Sequence, residues 1–152
     1  MQSYYQASRN TQIDQPELIG GHVADVCVIG GGYTGLSTAL YLANEGVSVF
    51  LIESNQIASG ASGANGGQVS GGMRRDQFYL EKALGVDYAK VLWGIGEKSK
   101  YHAKELIDKY QIQCDYKKGI AHPNHKQKYC EESKQYVDHM IKNYDYKDMV
   151  YL

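Results

Sequence analysis

Apolar positions divide the first half of the chain into a strand, a helix and a second strand. Residues 23–29 form a nearly continuous β-branched run that ends on three glycines, which predicts a parallel strand buried on both faces. Between residues 33 and 44 the apolar side chains recur at helical spacing, and Gly46 then ends the helix. Residues 47–52 form the second apolar run. The pattern therefore predicts one βαβ unit with a right-handed crossover.

The rest of the chain is predicted to be mainly helical. A short strand is expected at residues 114–116, and the last residues, 148–152, are expected to lie within another strand. Residues 1–21 carry no clear period and form a lead-in segment. Helical spacing predicts three helices, at residues 76–84, 87–110 and 126–144.

The turn between the first strand and the helix carries a dinucleotide fingerprint. Residues 30–35 read Gly-Gly-Gly-Tyr-Thr-Gly and fit G-x-G-x-x-G, with a strand before and a helix after. The glycines allow a tight turn, a close approach of a pyrophosphate and close helix–strand packing. Glu53 follows Gly35 by eighteen positions, where a ribose-binding carboxylate is expected. The alternative is a plain turn with a capping glutamate, and the fingerprint does not separate FAD from NAD.

A second loop, residues 57–72, is rich in glycine, serine and alanine. Its composition is also that of a flexible linker. Small residues are equally what a planar flavin ring requires, because the ring must lie close against backbone N–H groups. Ser62 is then a candidate contact for the pyrophosphate or the ribitol.

This second loop carries a family resemblance. Residues 60–68, Gly-Ala-Ser-Gly-Ala-Asn-Gly-Gly-Gln, resemble the GASGRNGGQ motif of the D-amino-acid-oxidase-like FAD-dependent oxidoreductases. Residues 3–8 are similar to the SYYAAS opening of such enzymes, and the likeness continues through Arg75 to residues 110–116, so that it covers nearly the whole chain. The chain departs from the motif at Ala64, where the family has an arginine.

The resemblance implies an α/β fold: a Rossmann-like FAD-binding βαβ unit with a parallel sheet and a helical excursion. It also implies that the chain is the N-terminal fragment of a larger two-domain flavoprotein. Residues 22–152 would be the N-terminal portion of the FAD-binding domain. The implied activity is oxidation of a C–N bond, in which the flavin takes a hydride from an amine such as a gamma-glutamylated polyamine.

FAD is the expected cofactor, and its binding should be non-covalent because residues 57–73 contain neither His nor Cys. No catalytic residue and no metal site can be assigned from the sequence. Arg75 follows the second loop, and it fits a functional side chain and a surface arginine at the start of a helix equally well. The expected FAD contacts are Gly30, Gly32, Tyr33, Thr34, Gly35, Glu53, Ser54, Ala61, Ser62, Asn65, Gly66, Gly67 and Gln68.

Composition limits the partners. The 152 residues are 43% hydrophobic with a formal net charge of -1, which gives no reason to expect a nucleic acid or a membrane. Three scattered cysteines indicate free thiols and a cytoplasmic protein, with Cys27 expected in the core. A small amine is expected as partner only in an intact enzyme, and exposed sheet edges make self-association possible. A NAD-binding module and a non-catalytic relic or interaction protein are the two alternative functions.

Overall fold

A computed structural model describes residues 4–11 and 14–152, so that Ser3, the first residue of the SYYAAS-like segment, lies outside the described residues. The chain forms two compact units, Met1–Gly67 and Gln68–Leu152. The first unit contains α1 (Tyr4–Ser8), β1 (Val26–Ile29), α2 (Tyr33–Asn44), β2 (Val49–Ile52) and a 3-10 turn (Ala61–Gly63). The second contains α3 (Gln77–Leu84), α4 (Val86–Lys109) and α5 (Gln127–Tyr144).

The predicted βαβ unit is confirmed. β1 and β2 are parallel, with Val26 opposite Val49 and Ile29 opposite Ile52, and α2 packs on both strands. Both strands are shorter than predicted because pairing begins only where the amides of Asp25 and Val26 donate to the carbonyl of Ser48, each at 3.1 Å. α2 has the predicted bounds, and Gly46 follows it with a φ of 81°.

One face of this two-stranded sheet is open. Val26 and Val28 are half-buried, whereas Cys27 is exposed and Ile29 is 82% exposed. The predictions of a strand buried on both faces and of a core Cys27 are therefore wrong for the described residues. The reason is the alternation of side chains along a strand: α2 covers one face, and Cys27 and Ile29 point to the other.

The second unit is helical, as predicted, with helix ends within one residue of the expected positions. Asp76 caps the N-terminus of α3, because its side chain accepts a hydrogen bond from the amide of Tyr79 at 2.8 Å. Gly85, with a φ of 85°, ends α3 and precedes α4, and the two helices pack together. The unit's buried apolar side chains are Leu80, Ala89 and Met140.

Buried polar contacts join α3 to α4 and α5. Gln77 is 1% exposed, and its Nε2 donates to the carbonyl of Ala89 and to the hydroxyl of Tyr144, each at 3.0 Å. Tyr144 in turn donates to Glu81 at 2.6 Å, and His139 Nε2 lies 2.8 Å from the same carboxylate oxygen. Most of these buried polar atoms are therefore paired between helices, as buried polar groups generally are.

Two predicted strands are absent from the described residues. Residues 114–116 form a bend and coil in which Asp115 has a φ of 52°, a left-handed value that interrupts an extended backbone. Residues 148–152 are turn and coil. Conversely, the five-residue helix α1 was not predicted, because it is too short to show a helical period.

Candidate functional site

The turn between β1 and α2 is tight because two glycines permit it. Gly30 has a φ of 105°, and its amide donates to the carbonyl of Ile52 at 2.8 Å. A Cβ at Gly35 would overlap the carbonyl oxygen of Gly30 and lie 3.4 Å from Val28 Cγ1. The first and third glycines of the fingerprint therefore allow the turn and the close packing of α2 on β1.

Ser62 of the second loop lies at the N-terminus of α2. Gly32 precedes this helix and has no side chain to cap it, and the amide of Tyr33 donates instead to Ser62 Oγ at 3.0 Å. A Cβ at Gly32 would lie 2.9 Å from the same oxygen. Free N–H groups at a helix N-terminus bind anions such as phosphate. The serine hydroxyl thus occupies one acceptor position at a place suited to a pyrophosphate.

Glu53 is held next to the first loop by its own hydrogen bonds. Its Oε2 accepts from the amide of Gly31 at 2.7 Å, and its Oε1 accepts from the amide of Asn55 at 2.9 Å and from Ser54 Oγ at 3.2 Å. The backbone bonds from Gly31 and then Asn55 hold the pKa of Glu53 below its ordinary value, so the group stays ionised near neutral pH. Oε1 already accepts two hydrogen bonds, whereas Oε2 accepts one and has a further acceptor position for a ribose hydroxyl.

The second loop has its own ordered contacts. The amide of Ala58 donates to the carbonyl of Gly31 at 3.0 Å, which ties the start of the loop to the fingerprint. Asn65 Nδ2 donates to the carbonyl of Ser62 at 2.8 Å, and Asn65 Oδ1 accepts from the amide of Gly67 at 2.8 Å. Asn65 thus organises the loop. The cofactor contact expected of it stays a prediction.

The SYYAAS-like segment also reaches this loop. Gly67 has a φ of 70°, and a Cβ there would overlap the hydroxyl of Tyr5 in α1. Asn65 Nδ2 lies 3.3 Å from the hydroxyl of Tyr33, so a second tyrosine supports the loop from the first turn of α2. Neither tyrosine contact was anticipated for the loop, since both join residues far apart in the sequence.

The first unit brings several predicted residues around one open pocket of about 230 Å³. Gly30, Tyr33, Thr34 and Gly35 lie in the adjoining turn and the start of α2. Gly66 is exposed, and Gln68 is the first residue of the second unit. The pocket is lined by the predicted Gly32, Glu53, Ala61 and Ser62 and by four residues that sequence reasoning missed, Asn55, Ala58, Ser59 and Gly60.

A second pocket, of about 300 Å³, lies on the uncovered face of the sheet. Its lining is largely apolar and includes Leu18, Val23, Cys27 and Phe50, with His22 at its edge in ring contact with Phe50 at 5.1 Å. The pocket on the sheet is larger, but the smaller pocket has the carboxylate, the hydroxyl and the helix N-terminus that a nucleotide requires. We therefore take the smaller pocket as the candidate site.

The remaining candidates lie apart from this chemistry. Ala64, which replaces the motif's arginine, is exposed at the end of the 3-10 turn. Arg75 is exposed in the second unit, with its guanidinium 5.0 Å from the centre of the Tyr79 ring. In residues 4–11 and 14–152, no group of three or more His, Cys, Asp or Glu side chains is arranged for a metal ion. None of the helices in this part of the chain combines the length and apolarity needed to cross a bilayer.

A pocket that combines a G-x-G-x-x-G turn, a helix N-terminus and a glutamate after the second strand is the arrangement of a dinucleotide-binding protein. The sequence profile of the FAD dependent oxidoreductase family, abbreviated DAO, matches residues 25–149. The chain belongs to this family of FAD-dependent oxidoreductases, and its fold is the family's Rossmann-type FAD-binding fold.

Individual relatives agree with the family. The chain is 44% identical over 117 residues to gamma-glutamylputrescine oxidoreductase of Escherichia coli, a match that covers 77% of this chain and 28% of that protein. It is 32% identical over 150 residues to the probable oxidoreductase OrdL of Rhizobium meliloti, covering 99% of this chain and 35% of the relative. The mitochondrial glycerol-3-phosphate dehydrogenase of Saccharomyces cerevisiae is 42% identical over 103 residues, 68% of this chain and 15% of its own length.

The chain therefore spans about a third or less of the length of these curated relatives. No solved structure matches it.

Proposed function

We propose that the chain is the FAD-binding portion of an amine oxidoreductase, with the nucleotide bound in the pocket between the fingerprint and the second loop. The observation that carries this proposal is the hydrogen bond from the Tyr33 amide to Ser62 Oγ. It brings a serine of the second loop to the N-terminus of the fingerprint helix, so that one pocket combines both glycine loops. A NAD-binding module has no need of the second loop.

The proposed contacts divide according to the parts of FAD. Gly30, Gly32 and Gly35, with the amides of Tyr33 and Thr34, would hold the pyrophosphate at the start of α2. Glu53, supported by Ser54, would accept the hydroxyls of the adenosine ribose. The flavin half would be bound by the second loop, through Ala61, Ser62, Asn65, Gly66, Gly67 and Gln68.

When bound, FAD supplies hydride acceptance from the carbon that bears the amine. This chain's own residues bind and orient the cofactor: the Ser62 hydroxyl, which accepts from the Tyr33 amide, would donate its own proton to a phosphate or ribitol oxygen of FAD. Two relatives whose names give different substrates, gamma-glutamylputrescine and glycerol 3-phosphate, match segments of this chain that overlap. The matched segment is therefore a guide to the cofactor more than to the substrate, and gamma-glutamylputrescine or a similar amine is proposed from the stronger of the two matches.

We further propose residues 22–152 as the N-terminal portion of the FAD-binding domain, inactive in oxidation by itself. A non-catalytic relic or interaction protein with the same fold remains the alternative, favoured by the open sheet face around Cys27 and Ile29. The same exposed apolar surface, with Val23 95% exposed, supports self-association of the isolated chain. Three free thiols support a reducing, cytoplasmic location.

Cofactor choice tests the proposed function directly. We expect the chain to bind FAD more tightly than NAD, because the second loop adds contacts that only the flavin half can use. Ligand-detected NMR with each dinucleotide against the purified chain measures both dissociation constants. ADP, which both dinucleotides contain, is the matched control for the shared half. Tighter binding of NAD than of FAD would show that the pocket is a NAD site.

Any bound flavin should be held without a covalent bond. Covalent attachment requires a nucleophile such as His or Cys near the ring, and residues 57–73 contain neither. Precipitating the FAD-loaded protein with acid should leave the yellow colour entirely in the supernatant. Colour that remains in the washed pellet, and on a peptide from this loop after digestion, would contradict the proposal.

A further inference from the structure

The second glycine loop ends in a short segment, Gln68–Gly72, that we call the loop arm. It carries Gln68, the last of the proposed flavin contacts, and it ends on two consecutive glycines. Gly72 has a φ of 80°, a left-handed value that side chains rarely adopt. Both the arm and the helices α3 to α5 lie within the second unit.

Three residues on one face of α4 contact the two glycines. Trp93, Gly96 and Glu97 are spaced by three and four positions, so that they lie together on the helix surface. A Cβ at Gly72 would lie 3.0 Å from a ring carbon of Trp93, and a Cβ at Gly71 would overlap Glu97 Oε1. We call these three residues the α4 clamp.

Gly96 is the tightest point of the clamp. It is buried, and a Cβ there would lie 2.6 Å from the Gly72 amide nitrogen and 2.7 Å from its carbonyl oxygen. The obstacle is backbone, so no side chain can rotate away to relieve the overlap. The helix therefore approaches the arm as closely as backbone atoms allow, which only glycine at position 96 permits.

Glu97 is fixed from behind. Its Oε2 lies 2.6 Å from Lys100 Nζ, and Lys100 also donates to the hydroxyl of Tyr146 at 3.1 Å. Although burial lowers it, these two hydrogen bonds raise the pKa of Lys100 above its ordinary value, so the ion pair persists at neutral pH. Tyr146 also packs against Trp93, another residue of the clamp, with ring centres 4.9 Å apart.

Glu97 Oε1 is in an unfavourable position next to the arm. This oxygen is buried and has no hydrogen-bond partner within the described residues, and it lies against Gly71. A buried carboxylate oxygen without a donor is unfavourable. The other carboxylate oxygen, Oε2, is held by Lys100, which is itself bonded to the Tyr146 hydroxyl.

We propose that the α4 clamp positions the loop arm and thereby sets the affinity of the second glycine loop for the flavin half of FAD. This inference rests on the proposed function, since it assigns Trp93, Gly96 and Glu97 to the support of that same site. None of the three touches the cofactor in this proposal. They act through Gly71 and Gly72, which are three and four residues from Gln68.

Two glycines of α4 provide a matched pair of variants. Gly96→Ala places a methyl group against the backbone of Gly72, whereas a Cβ at Gly94 has nothing within 4 Å. Both are Gly→Ala changes in the same helix, so they alter helix propensity alike. Circular dichroism is the control that each variant keeps its helices. If Gly96→Ala does not fold, Glu97→Gln is the second test, because it removes the ion pair with Lys100 and keeps the shape of the side chain.

The arm itself can be observed without cofactor. Trp93 is the single tryptophan of the chain, and Arg74 and Arg75 offer trypsin two cleavage sites directly after the arm. We expect Gly96→Ala to shift Trp93 emission to longer wavelength and to speed cleavage after Arg74 and Arg75, while Gly94→Ala resembles the wild type. Glu97→Gln should change both in the same direction as Gly96→Ala. If Gly96→Ala and Gly94→Ala give the same Trp93 emission and the same cleavage rate, the α4 clamp does not position the loop arm.

Cofactor binding then separates the clamp from the proposed function. Ligand-detected NMR is used because it measures the dissociation constants of weakly bound ligands, and FAD and ADP are the two probes. Overpacking against a fixed backbone should raise the dissociation constant for FAD about tenfold in Gly96→Ala and leave that for ADP within about twofold. An unchanged constant for FAD in Gly96→Ala, with FAD preferred over ADP in the wild type, overturns the inference alone. Equal binding of FAD and ADP by the wild type overturns the proposed flavin loop, and this inference falls with it.

Discussion

Replacing Gly35 with valine is expected to remove measurable FAD binding. A Cβ at this position would overlap the carbonyl oxygen of Gly30, and the added methyl groups would meet Val28 as well. Relief requires α2 to move away from β1, which displaces the helix N-terminus from the pyrophosphate. Overpacking of this kind costs about 3 kcal/mol, which corresponds to roughly a hundredfold loss in affinity.

Gly21→Val is the matched control, because a Cβ at Gly21 has nothing within 4 Å and its φ is not left-handed. The dissociation constants for FAD and for ADP are measured by ligand-detected NMR, and thermal unfolding is followed by circular dichroism. Both ligands should be lost together in Gly35→Val, because the pyrophosphate is common to them. This pattern differs from that expected of the α4 clamp, where only FAD is affected. Normal ADP binding by Gly35→Val would show that the fingerprint turn does not hold the phosphates.

The four longer helices, α2 to α5, were predictable from the sequence because their apolar spacing is local. α2 starts and ends at the predicted residues, and the three helices of the second unit begin and end within one residue of prediction. The strands were not predictable to the same degree, since a strand extends only as far as its partner pairs with it. Val26 opposite Val49 marks the first pair, and the apolar residues before them remain outside the sheet.

Burial was harder to predict than secondary structure. A nearly continuous apolar run predicts cover on both faces, but Cys27 and Ile29 lie on a face that no described element covers. The segment around Cys114 has the composition of a strand, and it forms none because Asp115 turns the backbone and no partner strand is adjacent. In both places the deciding factor is a neighbour in space, which the local sequence does not encode.

Half of the candidate pocket followed from motifs. Gly32 and Glu53 are fixed by the fingerprint spacing, and Ala61 and Ser62 by the family's second loop. Ala58 and Ser59 lie outside both motifs and also line the pocket, as does Gly60, the first residue of the second motif, which was not predicted as a contact. The position of Ser62 Oγ at the α2 N-terminus joins residues 29 apart, and only the folded chain shows it.

The largest expected effect is the loss of catalysis and of cofactor affinity in the isolated 152-residue chain, compared with a complete flavoenzyme. The candidate pocket measures about 230 Å³ and is open to solvent. Sites that enclose a drug-sized ligand measure roughly 300–1,000 Å³, and FAD is a larger ligand than most of these. In the proposed site, the fingerprint and Glu53 would bind the adenosine half, and the second loop would cover one side of the flavin. Much of the flavin ring would therefore remain in water, with few groups to hold an amine over it.

We expect the isolated chain to bind FAD about a thousandfold more weakly than a complete flavoenzyme, near millimolar instead of micromolar, because lost contacts worth about 4 kcal/mol correspond to a factor of a thousand. Peroxide release from FAD, the chain and gamma-glutamylputrescine should not exceed the rate with free FAD. The gamma-glutamylputrescine oxidoreductase of Escherichia coli, assayed under the same conditions, is the control for the substrate and the assay. Turnover by the chain above the free-flavin rate would contradict the proposal. It would mean that the two glycine loops, with the helices that support them, are sufficient to hold both flavin and amine.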